Sequence, residues 1–260
     1  MDFSLRHVRR NQQKFGGVQM LFIGDLYQLP PVVRDEYILS MYYSSPFFFH
    51  AKALEGRNFI TLELTKVYRQ TDEHFLEILN AIRDGITEDI DFEALNARYQ
   101  PDFDPKDEAY VYLCSHNKMA DDINQKKIKE LGGKSHTYTA DVVGEFKETQ
   151  YPNDEVLELK VGAQIMFIRN DTSPDKKYYN GKLAQISYLD EDEISVILDG
   201  SEEEITLKAE TWEQKKYSLD DEKNIKEEVL GSFKQFPIRL AWAVTIHKSQ
   251  GLTFDRLIID

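Results

Sequence analysis

The sequence predicts an α/β protein that carries a small antiparallel β-barrel or sandwich as an insert. Short apolar runs such as Tyr110–Cys114 are followed by a loop and an amphipathic stretch, the strand–loop–helix order of a parallel α/β framework. Between residues 136 and 230 the pattern changes to short strand-like segments separated by turns, which is typical of an antiparallel barrel or sandwich. The framework resumes at Pro237–Thr245, so the β-rich segment is expected to be an insert.

Composition and charge leave the class of partner open. The 260-residue chain, with 41% hydrophobic and 30% charged residues, is typical of a soluble globular protein. Its single cysteine, Cys114, excludes an intrachain disulfide and indicates a reducing compartment, and no apolar run reaches the roughly 18 residues that cross a membrane. We therefore expect a cytoplasmic protein with no membrane partner. The net charge of −14 disfavours nucleic acid, but eight acids lie between Leu189 and Ile205, whereas Gly231–Arg256 has four basic residues and one acid.

The part of the chain before residue 100 is predicted to contain two helices and two strands. The run Val18–Ile23 is apolar apart from Gln19 and lies between glycines, which favours a strand buried on both faces of a parallel sheet. The Pro- and Asp-rich residues 100–108 are a candidate boundary. The elements are a helix over residues 2–14 that stops at Phe15-Gly16-Gly17, strands at Val18–Ile23 and Phe59–Leu64, and a helix from about Asp72 to Arg83 that ends at Gly85.

The part after residue 108 is predicted to alternate between framework and insert. Turns such as Asp199-Gly200 separate the strands of the insert. The elements are a strand at Tyr110–Cys114, a helix from Lys118 to about Leu131, insert strands at Val156–Leu159, Gln164–Arg169, Ala184–Leu189, Ser195–Leu198 and Glu204–Leu207, and framework strands at Pro237–Thr245 and Arg256–Ile259.

Asp25 and Gln28 follow the predicted strand Val18–Ile23 at its C-terminal tip. Open α/β sheets bind ligands at that edge, and a glutamine there can contact a γ-phosphate or orient an attacking water. An ordinary strand-to-turn transition is the alternative, because aspartate and the following prolines are common turn residues. Arg69 also has two interpretations. It could be a solvated surface residue, or its guanidinium could stabilise the negative charge of a transition state.

The stretch His247-Lys248-Ser249-Gln250-Gly251 directly follows a predicted buried strand. It gathers an imidazole, an ammonium, a hydroxyl and an amide, and the glycine permits close backbone approach. These groups suit a phosphodiester backbone, although a polar loop that caps the next element has the same composition. The six histidines show no metal-ligand spacing, so no metal site is predicted.

Together these stretches resemble superfamily 1 DNA helicases of the RecD-like branch, which includes the Pif helicases. FGGVQMLFIGDLYQLPPVV resembles motif III, LTKVYRQTDEHFLEILNAIRDG resembles the motif IV region, and FPIRLAWAVTIHKSQGLTFDRLIID resembles motif V. LKVGAQIMFIRND followed by NGKLAQI is similar to the SH3-like insert of the second RecA-like domain. The resemblance implies the C-terminal part of a first RecA-like domain in residues 1–100, a second RecA-like domain (a parallel sheet with flanking helices) in residues 101–135 and 231–260, and an inserted SH3-like β-barrel in residues 136–230.

The resemblance also implies two sets of site residues. The nucleotide site would use two catalytic groups, Gln28 as the motif III glutamine near the γ-phosphate and Arg69 as an arginine finger. Asp25, Gln250 and Gly251 would also contact the nucleotide. The single-stranded DNA site would combine the motif V loop with the loop after the strand Tyr110–Cys114: His247, Lys248, Ser249, Ser115 and Asn117.

The chain departs from the family at the residues that hold nucleotide. Upstream of the motif III stretch it contains neither the phosphate-binding loop G-x-x-x-x-G-K-[ST] nor a strand that ends in an Asp-Glu pair. We therefore expect a fragment of a monomeric helicase, with these motifs upstream of Met1 and motif VI beyond Asp260. ATP and Mg²⁺ would serve the full-length enzyme, with neither bound to the fragment, and the partners would be single-stranded DNA and forked or duplex DNA. A protein-interaction module built on the acidic insert, or another RecA-like NTPase or nuclease, remains an alternative.

Overall fold

The computed structural model describes residues 1–33, 35–56, 59–68, 70–105, 109–219 and 225–259. The chain divides into two compact units, Met1–Phe103 and Asp104–Asp260. The division lies within the Pro- and Asp-rich residues 100–108.

The first unit is helical in its described residues. Short turns of 3-10 helix connect four α-helices: α1 (Asp2–Arg9), α2 (Glu36–Tyr42), α3 (Glu73–Asp84) and α4 (Phe92–Asn96). Helix α3 confirms the helix predicted between Asp72 and Arg83. The Asp72 carboxylate accepts a hydrogen bond from the Phe75 N–H, and Gly85 ends the helix in the left-handed conformation with a φ of 71°.

Helix α1 is shorter than the predicted helix over residues 2–14. It ends at Arg9, and Arg10 is left-handed with a φ of 49°. The Asp2 carboxylate accepts a hydrogen bond from the Phe15 N–H at 2.5 Å, which folds the following segment back and lowers the pKa of Asp2. Hydrogen bonds from side chains to the main chain compete with helix continuation, and apolar periodicity does not report them.

The two strands predicted in the first unit are wrong. Neither Val18–Ile23 nor Phe59–Leu64 is paired into a sheet, and Ile23 and Leu64 are 88% and 94% exposed. A parallel strand is stable only beside hydrogen-bonded neighbours, and the described residues of this unit include no strand to pair with these runs. An apolar run therefore indicates that a segment could form a buried strand, but it does not show that a neighbouring strand is present to pair with it.

The second unit contains both sheet types that the sequence predicts. Its described residues form helices α5 (Asn117–Glu130) and α6 (Ile246–Ser249). Its strands are β1 (Val111–Cys114), β2 (His136–Thr139), β3 (Asp141–Gly144), β4 (Val156–Leu159), β5 (Gln164–Phe167), β6 (Leu183–Leu189), β7 (Ile194–Leu198), β8 (Glu204–Leu207), β9 (Glu210–Leu219), β10 (Ile225–Gln235), β11 (Ile238–Leu240), β12 (Ala243–Thr245) and β13 (Leu257–Ile259).

The parallel sheet has the strand order β12-β1-β13. Helix α5 packs against β1 and β12, and it buries Ala120 and Ile128. The segment Pro237–Thr245, predicted as one strand, is divided into β11 and β12, which lie in different sheets. This α/β arrangement and the helix predicted from Lys118 to about Leu131 are confirmed.

The largest sheet is antiparallel, with the order β11-β5-β6-β7-β8. Its core is formed by side chains that are fully buried, among them Ile165, Phe167, Ile194 and Val196. The predicted closed barrel is not confirmed, because β11 and β8 are the two edges of the sheet and no pairing between them is present in the described residues. The edge strand β11 also comes from outside residues 136–230, so the sheet combines insert and framework.

A long hairpin, β9 and β10, pairs with β3 and was not predicted. The hairpin is mostly exposed and rich in charge, so it lacks the apolar alternation that marks a half-buried strand. Its main-chain ladder is supplemented by cross-strand ion pairs such as Lys215 with Glu227 at 3.0 Å. Across the described part of the chain, no helix combines the length and apolar character that a membrane span requires.

Candidate nucleic-acid interface

The two loops predicted to bind DNA begin at the same edge of the parallel sheet. Strands β1 and β12 are parallel neighbours, and Cys114 at the end of β1 lies opposite Thr245 at the end of β12. Ser115-His116-Asn117 follows β1, and helix α6 follows β12 and contacts β1. Because carboxyl ends of parallel strands meet at one edge, the fold brings the two loops together.

The predicted DNA-binding side chains at this edge are accessible. Ser115, Asn117, His247 and Lys248 are exposed, and Ser249 is half-buried. The Ser115 hydroxyl lies 2.8 Å from the His116 ring nitrogen Nδ1. Hydroxyl, amide, imidazole and ammonium groups all donate hydrogen bonds to phosphate oxygens, so the edge has the chemistry of a backbone-contacting surface.

Hydrogen bonds between side chains and the main chain stabilise α6 at the end of β12. The Thr245 side chain is 4% exposed, and its hydroxyl accepts a hydrogen bond from the Lys248 N–H at 3.4 Å. The Ser249 hydroxyl donates to the Ile246 carbonyl at 2.9 Å. Thr245 therefore caps the helix while the Lys248 side chain remains exposed. The sequence reading missed this role, although threonine immediately before a short helix is a recognised cap signal.

Gln250 and Gly251, predicted for the nucleotide site, directly follow α6. Both are exposed. Gly251 has a φ of 83°, and no atom lies within 4 Å of the position a Cβ would occupy. The glycine is thus required by the backbone conformation rather than by crowding.

Asp25 and Gln28 are hydrogen-bonded to each other in the first unit. The Asp25 carboxylate accepts from the Tyr27 N–H at 2.9 Å and from the Gln28 side-chain amide at 3.2 Å. Both residues are exposed at the turn that follows residues 18–23. The carboxylate thus orients the amide, as a phosphate-sensing glutamine would require, although the pair also has the form of an aspartate-initiated turn. Arg69, the predicted arginine finger, lies outside the described residues.

A cavity of about 550 Å³ adjoins Lys248 on one side. Arg239 also lines it and donates a hydrogen bond through Nη2 to the Pro152 carbonyl at 3.1 Å. Burial lowers the pKa of Arg239, and the Asp154 carboxylate opposes this shift. The remaining acidic residues of the lining, Glu148 and Glu155, are exposed. This side of Lys248 is therefore acidic at its rim, which disfavours a phosphate chain there.

The eight acidic residues between Leu189 and Ile205 lie on β8 and on the turns that connect β6, β7 and β8. Residues 190–193 form the turn between β6 and β7, and residues 199–203 form the turn between β7 and β8. Glu203 pairs with Lys177 at 2.7 Å. This group of acidic residues therefore belongs to the five-stranded sheet, whereas Lys248 follows a strand of the parallel sheet.

The chain is similar in sequence and in structure to known DNA helicases. A family model described as PIF1-like helicase matches residues 1–93. The ATP-dependent DNA helicase PIF1 of Homo sapiens is 33% identical, over 96% of this chain and 37% of that protein. Bacteroides sp. Pif1 in complex with ADP-AlF₄ has a TM-score of 0.83 at 37% identity, covering 99% of this chain and 59% of that one. Bacteroides Pif1 bound to single-stranded DNA has a TM-score of 0.62 with the same identity and coverage.

The chain spans about three fifths of the length of these solved helicases. Similarity nevertheless extends over almost all of its own residues, in sequence and in fold. The predicted resemblance to helicases of the Pif branch is confirmed, and the chain is a relative of the Pif1-like helicases.

Proposed function

We propose that the chain is part of an ATP-dependent DNA helicase that translocates on single-stranded DNA from 5′ to 3′ and unwinds forked or duplex DNA. The observation that carries the proposal is the shared edge of β1 and β12, where Ser115, Asn117, His247 and Lys248 are exposed together. Phosphate contacts of this kind position a nucleic acid without reading its sequence. The similarity to a Pif1 solved with single-stranded DNA supports the same assignment.

The proposal includes the domain organisation that the resemblance implies. Residues 1–100 would be the C-terminal part of a first RecA-like domain, residues 101–135 and 231–260 a second one, and residues 136–230 an insert related to SH3-like barrels. The parallel order β12-β1-β13 with α5 on its face supports the second assignment. We further propose that the protein acts as a monomer in a reducing, cytoplasmic compartment, with which the buried position of Cys114 is compatible.

ATP binding is proposed for the whole protein rather than for these 260 residues alone. ATP with Mg²⁺ would supply the free energy of hydrolysis that drives opening and closing of the cleft. From this chain, Asp25 would orient Gln28 toward the γ-phosphate, Arg69 would stabilise transition-state charge, and Gln250 and Gly251 would link the cleft to the DNA loop. The sequence contains no residues that match the cradle for the β- and γ-phosphates, so the chain alone is expected not to hydrolyse ATP. Turnover by the isolated chain in a DNA-stimulated ATPase assay would contradict this.

The acidic rim beside Lys248 restricts the proposed DNA path. Glu148, Asp154 and Glu155 line the cavity on that side of the loop. A phosphate chain would therefore run over the side of α6 that faces Ser115, away from these three carboxylates.

The decisive experiment compares two single-charge deletions. Lys248→Ala removes the ammonium at the proposed edge, and Lys129→Ala removes an exposed ammonium on α5, twelve residues or about 18 Å along the helix from Asn117. Binding of fluorescent dT and mixed-sequence oligonucleotides is measured by anisotropy at several salt concentrations.

Lys248→Ala is expected to weaken binding to both oligonucleotides and to reduce the magnitude of the log Kd versus log salt slope by about 0.7, the value for one contact to a single-strand phosphate. Lys129→Ala is expected to leave the slope unchanged. Equal behaviour of the two variants would refute the proposed interface and favour the interaction-module alternative.

A further inference from the structure

One continuous segment, Gln235–Thr245, connects all three of the larger sheets of the second unit. Strand β10, which ends at Gln235, pairs with β3 and β9; β11 pairs with β5; and β12 pairs with β1. The segment then enters α6, which carries Lys248. The position of the candidate DNA loop is thus set by this segment, whose earlier residues belong to two other sheets.

Most of the buried polar side chains described in the second unit either lie on this segment or bond to its main chain. The described part of the chain has six buried polar or charged residues. Only Ser195 makes its side-chain contact elsewhere, with the Thr206 hydroxyl at 3.1 Å. The other five lie on the segment or bond to its main chain: Asn124, Asn153, Gln164, Gln235 and Thr245.

The first half of the segment is held by two of these amides. The Gln235 side chain donates to the Tyr138 carbonyl at 3.0 Å, and its oxygen accepts from the Phe236 N–H at 2.9 Å. The Asn153 side chain donates to the carbonyls of Phe236 and Ile238 at 3.0 and 2.9 Å. These contacts attach the segment to β2 and to the loop that precedes β4.

The second half is held by Gln164 of β5 and Asn124 of α5. Gln164 donates to the Ala241 carbonyl at 2.8 Å and to the Tyr110 carbonyl at 2.9 Å, so one amide joins β5, the start of β1 and the link between β11 and β12. Asn124 donates to the Ala243 carbonyl at 2.9 Å and accepts from the Ala243 N–H at 3.0 Å. Asn124 therefore satisfies both main-chain groups of a residue that lies two positions before the Thr245 cap.

The amide at position 124 has a specific partner on β12. Asn124 occupies the apolar stripe of α5, four residues after Ala120 and four before Ile128, and an apolar side chain there would leave the N–H and the carbonyl of Ala243 unpaired. A bidentate amide instead allows one main-chain position and disfavours sliding of β12 along the helix.

We propose that Asn124 and Gln164 are positioning residues of the DNA-binding loop: they fix β12, and through it α6 and Lys248, at the edge of β1. This inference rests on the proposed function, because it concerns the same loop. It adds that the insert, through Gln164 of β5, and helix α5, through Asn124, both set where the loop stands.

The test is a double-mutant cycle on single-stranded DNA affinity of the full chain, with Asn124→Leu, Lys248→Ala and their combination. If Asn124 acts through the loop, Asn124→Leu weakens binding about 5- to 10-fold in the wild-type background and clearly less in the Lys248→Ala background. Ile128→Val, a cavity-forming change on the same face of α5, is the control for a general loss of helix packing, and it is expected to leave affinity within about 2-fold of wild type.

Equal losses in both backgrounds, or a loss no larger than that of Ile128→Val, would overturn the inference. A Lys248→Ala variant that binds like wild type would instead overturn the proposed function, so the two failures are distinguishable.

Wild-type protein provides a second test that does not depend on folding of a variant. In ¹H–¹⁵N spectra, the side-chain NH₂ resonances of Asn124 and Gln164 are expected to shift on addition of dT oligonucleotide, because DNA binds the loop that these side chains hold. The side-chain resonance of Gln185, an exposed residue of β6 that donates to the Gly162 carbonyl, is the control. Absence of any shift at Asn124 and Gln164 under saturating DNA would count against the inference.

Discussion

Gly231 lies where β10 crosses closely over the residue that follows β3, and replacing it with alanine should destabilise the second unit. A Cβ at Gly231 would lie 2.7 Å from the carbonyl carbon of Glu145 and 2.8 Å from its nitrogen and oxygen. Glu145 cannot move away easily, because its N–H donates to the Leu230 carbonyl at 2.8 Å. All three close atoms belong to main chain, so no side-chain rotation relieves the contact.

The size of the effect follows from these distances. Ordinary van der Waals contact begins at 3.4 Å, so the strands must separate by 3.4 − 2.7 = 0.7 Å. Overpacking of this kind costs about 1–3 kcal/mol, and the lower chain entropy of alanine in the unfolded state offsets about 0.4–1 kcal/mol. We expect a net loss of about 1–2 kcal/mol, or a decrease in Tm of roughly 2–8 °C for a unit of this size.

Urea denaturation followed by tryptophan fluorescence measures the change, since Trp212 of β9 packs against Phe233 of β10 with ring centroids 6.1 Å apart. Gly132→Ala is the matched control, because nothing lies within 4 Å of its Cβ position and its φ is not left-handed. The control should unfold within about 0.5 kcal/mol of wild type. If Gly231→Ala unfolds at the wild-type urea concentration, the close strand crossing is not present in solution.

Two further predictions concern Tyr138 and Gly251. Burial raises the pKa of Tyr138 to about 12, with a further contribution from the Asp190 carboxylate. Unfolded tyrosine ionises near about pH 10, so the stability that this residue contributes is intact below that pH and is lost between about pH 10 and 12, by up to roughly 2–3 kcal/mol. Tyr138→Phe should therefore lose less stability than wild type between pH 9.5 and about pH 11.5 in urea denaturation, and an identical loss in both proteins would contradict the burial. Gly251→Ala places a side chain at a φ of 83° and should weaken oligonucleotide binding several-fold while lowering the urea midpoint only slightly, in line with a local strain of about 1 kcal/mol; wild-type affinity would show that the loop tolerates another conformation.

The strands of the second unit could be predicted from sequence where their own residues alternate between apolar and polar. Val156–Leu159 and Glu204–Leu207 match β4 and β8 residue for residue, because buried and exposed side chains alternate along both strands. The same reasoning failed for Val18–Ile23, whose apolar character indicates a buried strand but provides no neighbour. It also missed β9 and β10, whose pairing depends on main-chain bonds and ion pairs rather than on apolar alternation.

The candidate site was partly readable from sequence. Ser115 and Lys248 could be assigned to strand ends separately, but only the register of β1 with β12 brings them to one edge. Asn124 left a weaker signal, an amide in an apolar stripe at i ± 4 spacing, which marks a buried polar contact without identifying Ala243 as its partner.

The central claim is that the loops at the carboxyl ends of β1 and β12 contact single-stranded DNA. Photochemical cross-linking tests this claim most directly. An oligonucleotide that contains 5-iodouracil is irradiated with the full chain, and the modified peptides are mapped by mass spectrometry. We predict that the cross-linked residues fall in the two loops, at 115–118 and 246–251. Cross-links confined to residues 190–204 of the acidic sheet, with none in either loop, would contradict the account.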